Sequence, residues 1–172
     1  MATETLRPNA AGDLNQCENS GGGPSSNNYT YVDEVSANDA DYILSFLTSG
    51  NYDLYNLPST AIPAGSVINK ITFYGRFKRH ARGGNGYFYY KTGGTAYLSA
   101  LTLTTSFAEY SLEKTTNPKT SAAWTIDDIN GLQIGACLSS ASDSKDSYPG
   151  YCSQLWIVID YTVVNKNFFI IF

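Results

Sequence analysis

Residues 66–79 read SVINKITFYGRFKR and alternate between apolar and polar side chains. Ile71, Phe73, Gly75 and Phe77 fall on one face, and the charged or hydroxyl-bearing residues between them fall on the other. A period of two residues indicates a β-strand, because successive side chains of a strand point to opposite faces of its sheet. The stretch therefore predicts a long strand that buries one face and leaves the other in water.

The rest of the chain shows the same strand-like character. The stretch QLWIVIDYT at residues 154–162 alternates in the same way, and charged residues make up only 15% of the 172-residue chain. Short runs rich in β-branched and aromatic residues, separated by turn residues, are typical of strands. We expect strands near 29–35, 41–48, 51–57, 66–79, 86–91, 95–104, 107–114, 131–139 and 151–164. These predict an all-β fold, a two-sheet antiparallel β-sandwich of the jelly-roll or concanavalin-like type.

One short helix and an N-terminal arm complete the predicted organisation. Thr125 is suited to cap a helix whose first turn carries acidic residues, so we predict a helix at Thr125–Asn130. Residues 1–27 end in the polar run NSGGGPSSNN and are predicted to form an arm. Residues 28–172 are predicted to form a single β-sandwich domain that ends in an apolar C-terminal tail strand.

The cysteines are placed by a predicted hairpin. If the two strands flanking the loop SSASDSKDSYPG pair directly, Leu138 lies opposite Tyr151 and Cys137 lies opposite Cys152. Two interpretations stay open: a cross-strand disulfide formed after release from the cell, or two small, partly buried thiols. Cys17, in the predicted arm, is expected to be a free thiol.

The sequence does not predict an enzyme. His80 is the only histidine, and no GxSxG pattern accompanies it. Helix capping accounts for Asp127 and Asp128, and ordinary solvated strand positions account for Glu109 and Glu113. One histidine and no CxxC spacing also leave no metal site, so neither a metal nor a cofactor is expected.

Charge is divided unevenly along the chain. Residues 1–53 hold eight acidic and one basic residue, whereas residues 54–100 hold six basic residues and no acidic one. Three interpretations stay open for the basic cluster: a nucleic-acid patch, which the net charge of -4 argues against, an interface with the acidic segment of a neighbouring subunit, or a solvated face balanced by its own chain. We predict that an oligomer interface includes the four clustered cations Arg76, Lys78, Arg79 and Arg82.

Two further features indicate contact with a partner. The chain ends in five consecutive apolar residues, which a stable protein must cover because an uncharged β-prone tail aggregates. We therefore predict that the oligomer interface also includes Phe168, Phe169, Ile170, Ile171 and Phe172. Trp156 alternates away from Leu155 and Ile157, so we expect it on an outer sheet face, as a contact for glycans or for a protein partner. Other candidate sugar-stacking rings are Trp124, Tyr87, Tyr89, Tyr90 and Tyr151.

The N-terminus carries no basic stretch followed by an apolar one, so we expect no signal peptide and synthesis in a host cytoplasm. No apolar run approaches the ~20 residues of a membrane span, so no membrane role is expected.

Several segments together resemble a group of bacteriophage and prophage structural proteins. These are ATETLRPNAAGD at 2–13, YVDEV at 31–35, YDLYNLP at 52–58, TNPKTSAAWTIDDINGLQIGACLSS at 116–140 and QLWIVIDYT at 154–162. The tail NFFIIF departs from the pattern of that group.

The resemblance implies a non-enzymatic virion component: a capsid decoration, head fibre or tail-associated protein of β-sandwich type. From the basic cluster and the apolar tail we expect self-association into a homo-oligomer such as a trimer, and from the virion role we expect contact with other virion proteins such as the major capsid protein. The alternatives are a carbohydrate-binding adhesion module that takes surface glycans, and an extracellular filament subunit.

Overall fold

The computed structural model describes residues 1–164, which form two large antiparallel sheets packed face to face around an apolar core. The strands of this range are β1 (Ala2–Leu6), β2 (Ala10–Asn15), β3 (Glu18–Asn19), β4 (Ile43–Ser45), β5 (Asn51–Asn56), β6 (Val67–Arg79), β7 (Asn85–Thr92), β8 (Thr95–Ala100), β9 (Ala108–Lys114), β10 (Gln133–Ser139), β11 (Ala141–Ser142), β12 (Ser147–Tyr148) and β13 (Gly150–Thr162). Its helical elements are a 3-10 helix at Asn28–Tyr31 and α1 at Ile126–Asn130. The predicted all-β sandwich is confirmed.

The strand order is that of a jelly roll. The six-stranded sheet runs β3-β4-β13-β6-β9, with β1 also paired to β13, and the five-stranded sheet runs β2-β5-β10-β7-β8. Of the eight strands that carry this order, β4, β6, β9 and β13 lie in the first sheet, and β5, β7, β8 and β10 lie in the second. Successive strands therefore cross repeatedly between the sheets, as in the eight-stranded, double-sheet jelly roll.

The alternation predicted for β6 determines which of its side chains enter the core. Its apolar face is buried against the five-stranded sheet, where Phe73 meets Tyr90 with ring centroids 4.6 Å apart and Phe77 meets Phe88 edge-on at 5.4 Å. Its polar face, which includes Tyr74, is half-buried on the outside of the sandwich. β13 alternates in the same way and pairs with β6 along most of its length.

The predicted N-terminal arm at residues 1–27 is wrong, because this segment supplies three strands. β1 pairs with β13, β2 pairs with β5 at the margin of the other sheet, and β3 pairs with β4. Leu6 and Cys17 lie in the core. The Gly-rich run that suggested an arm is a turn at the surface, whereas the residues before it bury apolar groups and complete backbone ladders.

A buried carboxylate fastens this N-terminal segment to the sandwich. Asp53 of β5 is fully buried and accepts two bonds on Oδ1, from the backbone amides of Gln16 at 2.6 Å and Cys17 at 2.8 Å. Its Oδ2 accepts from Asn28 Nδ2 at 2.8 Å and from the Tyr55 hydroxyl at 2.7 Å. Four donors from three segments therefore converge on one side chain, which replaces the water that the carboxylate loses on burial.

Local signals account for the short helical elements in different ways. The hydroxyl of Thr125 accepts from the amide of Asp128, whose carboxylate accepts from the amide of Thr125, so a complete capping box opens α1 and the predicted helix is confirmed. The strand predicted at 29–35 is wrong. The 3-10 helix at Asn28–Tyr31 takes up the first part of this range, and its first residue, Asn28, is fully buried and donates to Asp53.

The predicted pairing of the strands that carry Cys137 and Cys152 is also wrong. β10 lies between β5 and β7, whereas β13 lies in the other sheet, so Leu138 does not face Tyr151 across a ladder. Their apolar faces match because both line the same core from opposite sides. Cys152 lies inside the core and Cys137 on the outer face of the five-stranded sheet, and both are free thiols, so the disulfide is absent.

The apolar tail strand predicted at the C-terminus, with Phe168, Phe169, Ile170, Ile171 and Phe172, lies outside the described residues.

Replacement of Asp53 by Ala should destabilise the fold strongly, because it leaves four buried donors without an acceptor. We expect a loss of about 3 kcal/mol or more in the free energy of unfolding, measured by urea denaturation. Asp13→Ala is the matched control. It removes a surface carboxylate that is paired with Lys91, and should cost under about 1 kcal/mol. Equal losses for the two variants would contradict the anchoring role of Asp53.

Candidate functional site

The outer face of the six-stranded sheet carries two of the four predicted interface cations. Arg76 extends from β6 and donates two hydrogen bonds of 2.7 Å, one to each carboxylate oxygen of Asp39. These bonds from Arg76 lower the pKa of Asp39, which also accepts from the hydroxyl of Ser153 at 3.2 Å. The cation is therefore neutralised by the acidic N-terminal third of its own chain.

Lys78 lies two residues further along β6, inside a group of three aromatic rings. Its ammonium nitrogen is 4.4 Å from the ring centroid of Phe107, 4.7 Å from that of Tyr151 and 5.9 Å from that of Tyr42. The rings also contact one another, since Tyr42 and Tyr151 meet edge-on at 5.3 Å. Electron-rich ring faces attract a cation, so the three rings hold the lysine in a defined position on the sheet.

The other two predicted interface cations lie beyond Lys78, at the end of β6 and in the turn that follows it. Arg79 donates from Nε to the carbonyl of Leu103 at 3.1 Å. Arg82 donates to the Tyr148 hydroxyl at 2.7 Å, lies over the same ring at 5.3 Å and approaches Asp143 at 3.7 Å. Each of the four cations thus has contacts within its own chain, and their role in an oligomer interface stays a prediction. His80 also belongs to this end, stacked on Tyr148 at 4.9 Å.

Trp156 lies on the outer face of the six-stranded sheet, as predicted, but its ring is already covered in part. It stacks on Tyr74 of the neighbouring strand, with centroids 5.2 Å apart and planes 7° from parallel. The guanidinium of Arg7 lies over the same ring at 5.0 Å. A sugar would have to displace these neighbours, so the geometry favours an anchoring role for Trp156 over an open sugar platform.

A cluster of charges beside Trp156 was missed by the sequence analysis. Arg7, Asp33 and Glu34 lie close enough to influence one another, yet neither Arg7 Nη1 nor Glu34 Oε2, both buried, has a hydrogen-bond partner. Burial raises the pKa of Glu34 to about 7, raises that of Asp33 and lowers that of Arg7. No local motif marks the cluster, because the residues meet only after both segments lie against β13.

The outer face of the five-stranded sheet is a second candidate surface. Tyr52, Tyr87 and Tyr89 project from it half-buried, and Tyr52 meets Tyr89 edge-on at 5.1 Å. Cys137 lies among these rings on the central strand, opposite Tyr52 and Tyr87, and burial raises the pKa of its thiol. Leu98 of β8, opposite Tyr89, extends the surface to the edge of the sheet.

Polar side chains border this tyrosine surface. In the irregular part of β2, Asp13 pairs with Lys91 and accepts from Gln133 Nε2 at 3.0 Å. These charges neutralise each other, so the surface presents rings and amides and has no unbalanced charge.

The remaining aromatic candidates are in structural positions. Tyr90 and Trp124 are buried in the core, and Trp124 donates to the carbonyl of Lys114 at 3.1 Å. Tyr151 belongs to the ring group around Lys78. Of the rings proposed for sugar stacking, only Tyr87 and Tyr89 lie on the tyrosine surface.

The carboxylates weighed for catalysis are placed as helix caps and strand-surface residues. Asp128 closes the capping box of α1, and Asp127 occupies its first turn. Glu113 pairs with Lys70 at 2.6 Å on the outside of the six-stranded sheet, and Glu109 lies opposite Arg76 in the ladder between β6 and β9.

A shallow groove of about 380 Å³ runs between the start of β6 and the start of α1. It is lined by residues 65–68 and 123–127, and most of its surface is apolar. Such a groove can seat an apolar side chain.

Within residues 1–164, no group of three or more His, Cys, Asp or Glu side chains could hold a metal ion. No helix in the described part of the chain is long and apolar enough to cross a bilayer. No protein-family model matches this chain, and no curated protein matches it.

The charge cluster makes stability depend on pH near neutrality. The unfolded state releases the proton of Glu34 near pH 4.5, whereas the folded state retains it up to about 7, so folding becomes less favourable as pH rises through this window. We expect Glu34→Gln to flatten the decline in the free energy of unfolding, measured by urea denaturation across the window. Glu113→Gln, at an exposed glutamate, should leave the slope unchanged. An unaltered slope in Glu34→Gln would count against the buried carboxyl.

Proposed function

We propose that the chain is a non-enzymatic structural subunit of a phage virion that self-associates. Such a subunit would decorate the capsid, form part of a head fibre or belong to the tail, in contact with proteins such as the major capsid protein. The observation that carries the proposal is the jelly-roll strand order. Jelly rolls build many viral capsid domains, and also lectins. This is an argument from fold, which several functions share, and the resemblance of five sequence segments to phage structural proteins supports it.

The outer faces support the same proposal. On the six-stranded sheet, Arg76 is neutralised by Asp39, and Lys78 is held between aromatic rings. The side chains of this face are therefore fixed in position before any partner arrives. A surface whose side chains are already ordered loses little conformational entropy on association, as suits a repeated building unit.

The C-terminal tail provides the test of self-association. Val163 and Val164, which precede it in the chain, are 45% and 51% exposed. Deletion of residues 168–172 should lower the native mass of the oligomer, measured by light scattering at low and high salt. Lys166→Ala, which leaves the apolar run intact, is the control and should keep the wild-type mass. Retention of the oligomer by the folded deletion variant would refute a tail interface.

A second function, binding of neutral glycans, is favoured by the tyrosine surface of the five-stranded sheet. Tyr52, Tyr87 and Tyr89 offer ring area next to the amide of Gln133, and the nearby charges of Asp13 and Lys91 are paired. Aromatic rings that combine an apolar body with a polar tip suit sugars, which present both C–H and hydroxyl groups.

The two sheet faces make glycan binding easy to localise. Tyr89→Ala should weaken binding to a panel of neutral polysaccharides about tenfold or more in affinity electrophoresis, as expected for the loss of about 1.4 kcal/mol. Trp156→Ala, on the opposite face of the sandwich, should leave binding unchanged. Equal weakening by both variants would contradict a site on the tyrosine surface.

A further inference from the structure

The edge strand β8 differs from the other margins of the two sheets. It is the last strand of the five-stranded sheet, and among the strands of residues 1–164 it pairs with β7 alone. Its sequence is TAYLSA, and no charged residue occurs between Lys91 and Glu109. Exposed side chains alternate along it, and Leu98 at its middle is 51% exposed. A neutral, regular and exposed edge offers unpaired backbone groups to another strand.

The other margins carry the features that usually prevent such pairing. β9, at the margin of the six-stranded sheet, contains Glu109, Glu113 and Lys114. β1 contains a glutamate, β2 has an irregular register beside Asp13, and β3 is only two residues long. Charge, bulges and short strands all oppose edge-to-edge association, and β8 has none of them.

The hairpin geometry shows which backbone groups of β8 face outward. A two-residue turn, Gly93–Gly94, joins β7 to β8, and both glycines have positive φ, 54° and 78°. Thr92 and Thr95 flank such a turn as a hydrogen-bonded pair, and hydrogen-bonded and non-hydrogen-bonded pairs then alternate along an antiparallel ladder. The amide and carbonyl groups of Ala96, Leu98 and Ala100 therefore point away from β7, toward the open edge.

We propose that β8 pairs antiparallel with β8 of a second copy of this chain about a two-fold axis at Leu98. Leu98 would lie opposite Leu98 of the second copy, and Ala96 opposite Ala100. This inference rests on the self-association in the proposed function and names one surface that contributes to it. The two five-stranded sheets would then form one continuous sheet across the dimer.

A second copy suits this edge for three reasons. An antiparallel edge pair is self-complementary, as a two-fold interface requires. Neither edge brings a charge, so the two copies do not repel each other at the seam. The small side chains of Ala96 and Ala100 leave room for the paired leucines, which bury an apolar group that is half exposed in the single chain.

Disulfide trapping tests the pairing directly. Residues of a hydrogen-bonded antiparallel pair have Cα atoms about 5.5 Å apart, within the ~4.4–6.8 Å range that a disulfide spans. Leu98→Cys should therefore form a covalent dimer under mild oxidation, seen on a non-reducing denaturing gel. Ser111→Cys, exposed on the charged edge β9, is the matched control and should remain monomeric. The native cysteines are all buried and do not compete. Equal cross-linking at the two positions, or none at Leu98→Cys, would overturn the proposal.

Light scattering of a Leu98→Lys variant separates this inference from the proposed function. A charge at the seam should lower the native mass, whereas Ser111→Lys should not. If the wild type is oligomeric, and Leu98→Lys keeps its mass while Leu98→Cys fails to cross-link, the β8 interface is refuted and self-association stands. A wild type that is monomeric at all concentrations, with no cross-linking at Leu98→Cys, refutes both.

Discussion

The buried carboxylate of Asp53 is the constraint on which the N-terminal half of the molecule depends. A carboxylate without water is tolerated only when its oxygens accept enough hydrogen bonds, and here two come from the backbone at Gln16 and Cys17. Those bonds place the segment that follows β2, and the bond from Asn28 places the 3-10 helix. Because these segments lie against the core, the flank of β13 is covered, and Leu155 donates to the carbonyl of Val32 at 2.8 Å.

The parts of the fold that could be predicted depend on local sequence. The alternation in β6 reports which face is buried, because side-chain direction follows residue number within one strand. The capping box of α1 is likewise contained in four consecutive residues. The pairing of β10 with its neighbours is not local. A direct hairpin would pair β10 with β13, but in a jelly roll successive strands cross between the two sheets. The matching apolar residues of β10 and β13 therefore show that both strands line the same core, and not that they are hydrogen-bonded to each other.

On the candidate surfaces too, the direction of a side chain could be predicted from the sequence, whereas its contacts could not. An outward direction for Arg76, Lys78 and Trp156 follows from alternation and agrees with the structure. What those side chains contact could not be predicted, since Asp39 and Phe107 reach them from distant parts of the chain. The polar run in residues 1–27 was misleading for a related reason. Its composition describes the exposed turn, whereas the anchoring residues on either side of it, among them Asn28, are recognisable only once Asp53 is placed.

These contacts bear on where a self-associating jelly roll would join its neighbours. On the six-stranded sheet, ion pairs and cation–ring contacts already occupy the cations that sequence analysis assigned to an interface, and breaking them would cost some of the stability they confer. An edge strand carries no such cost, because its outward amides and carbonyls exchange water for equivalent partners and lose no internal bond. Within residues 1–164, the margin that combines regular strand geometry with an absence of charge is β8. If the chain self-associates as proposed, pairing along β8 leaves the internal contacts of the cationic face intact.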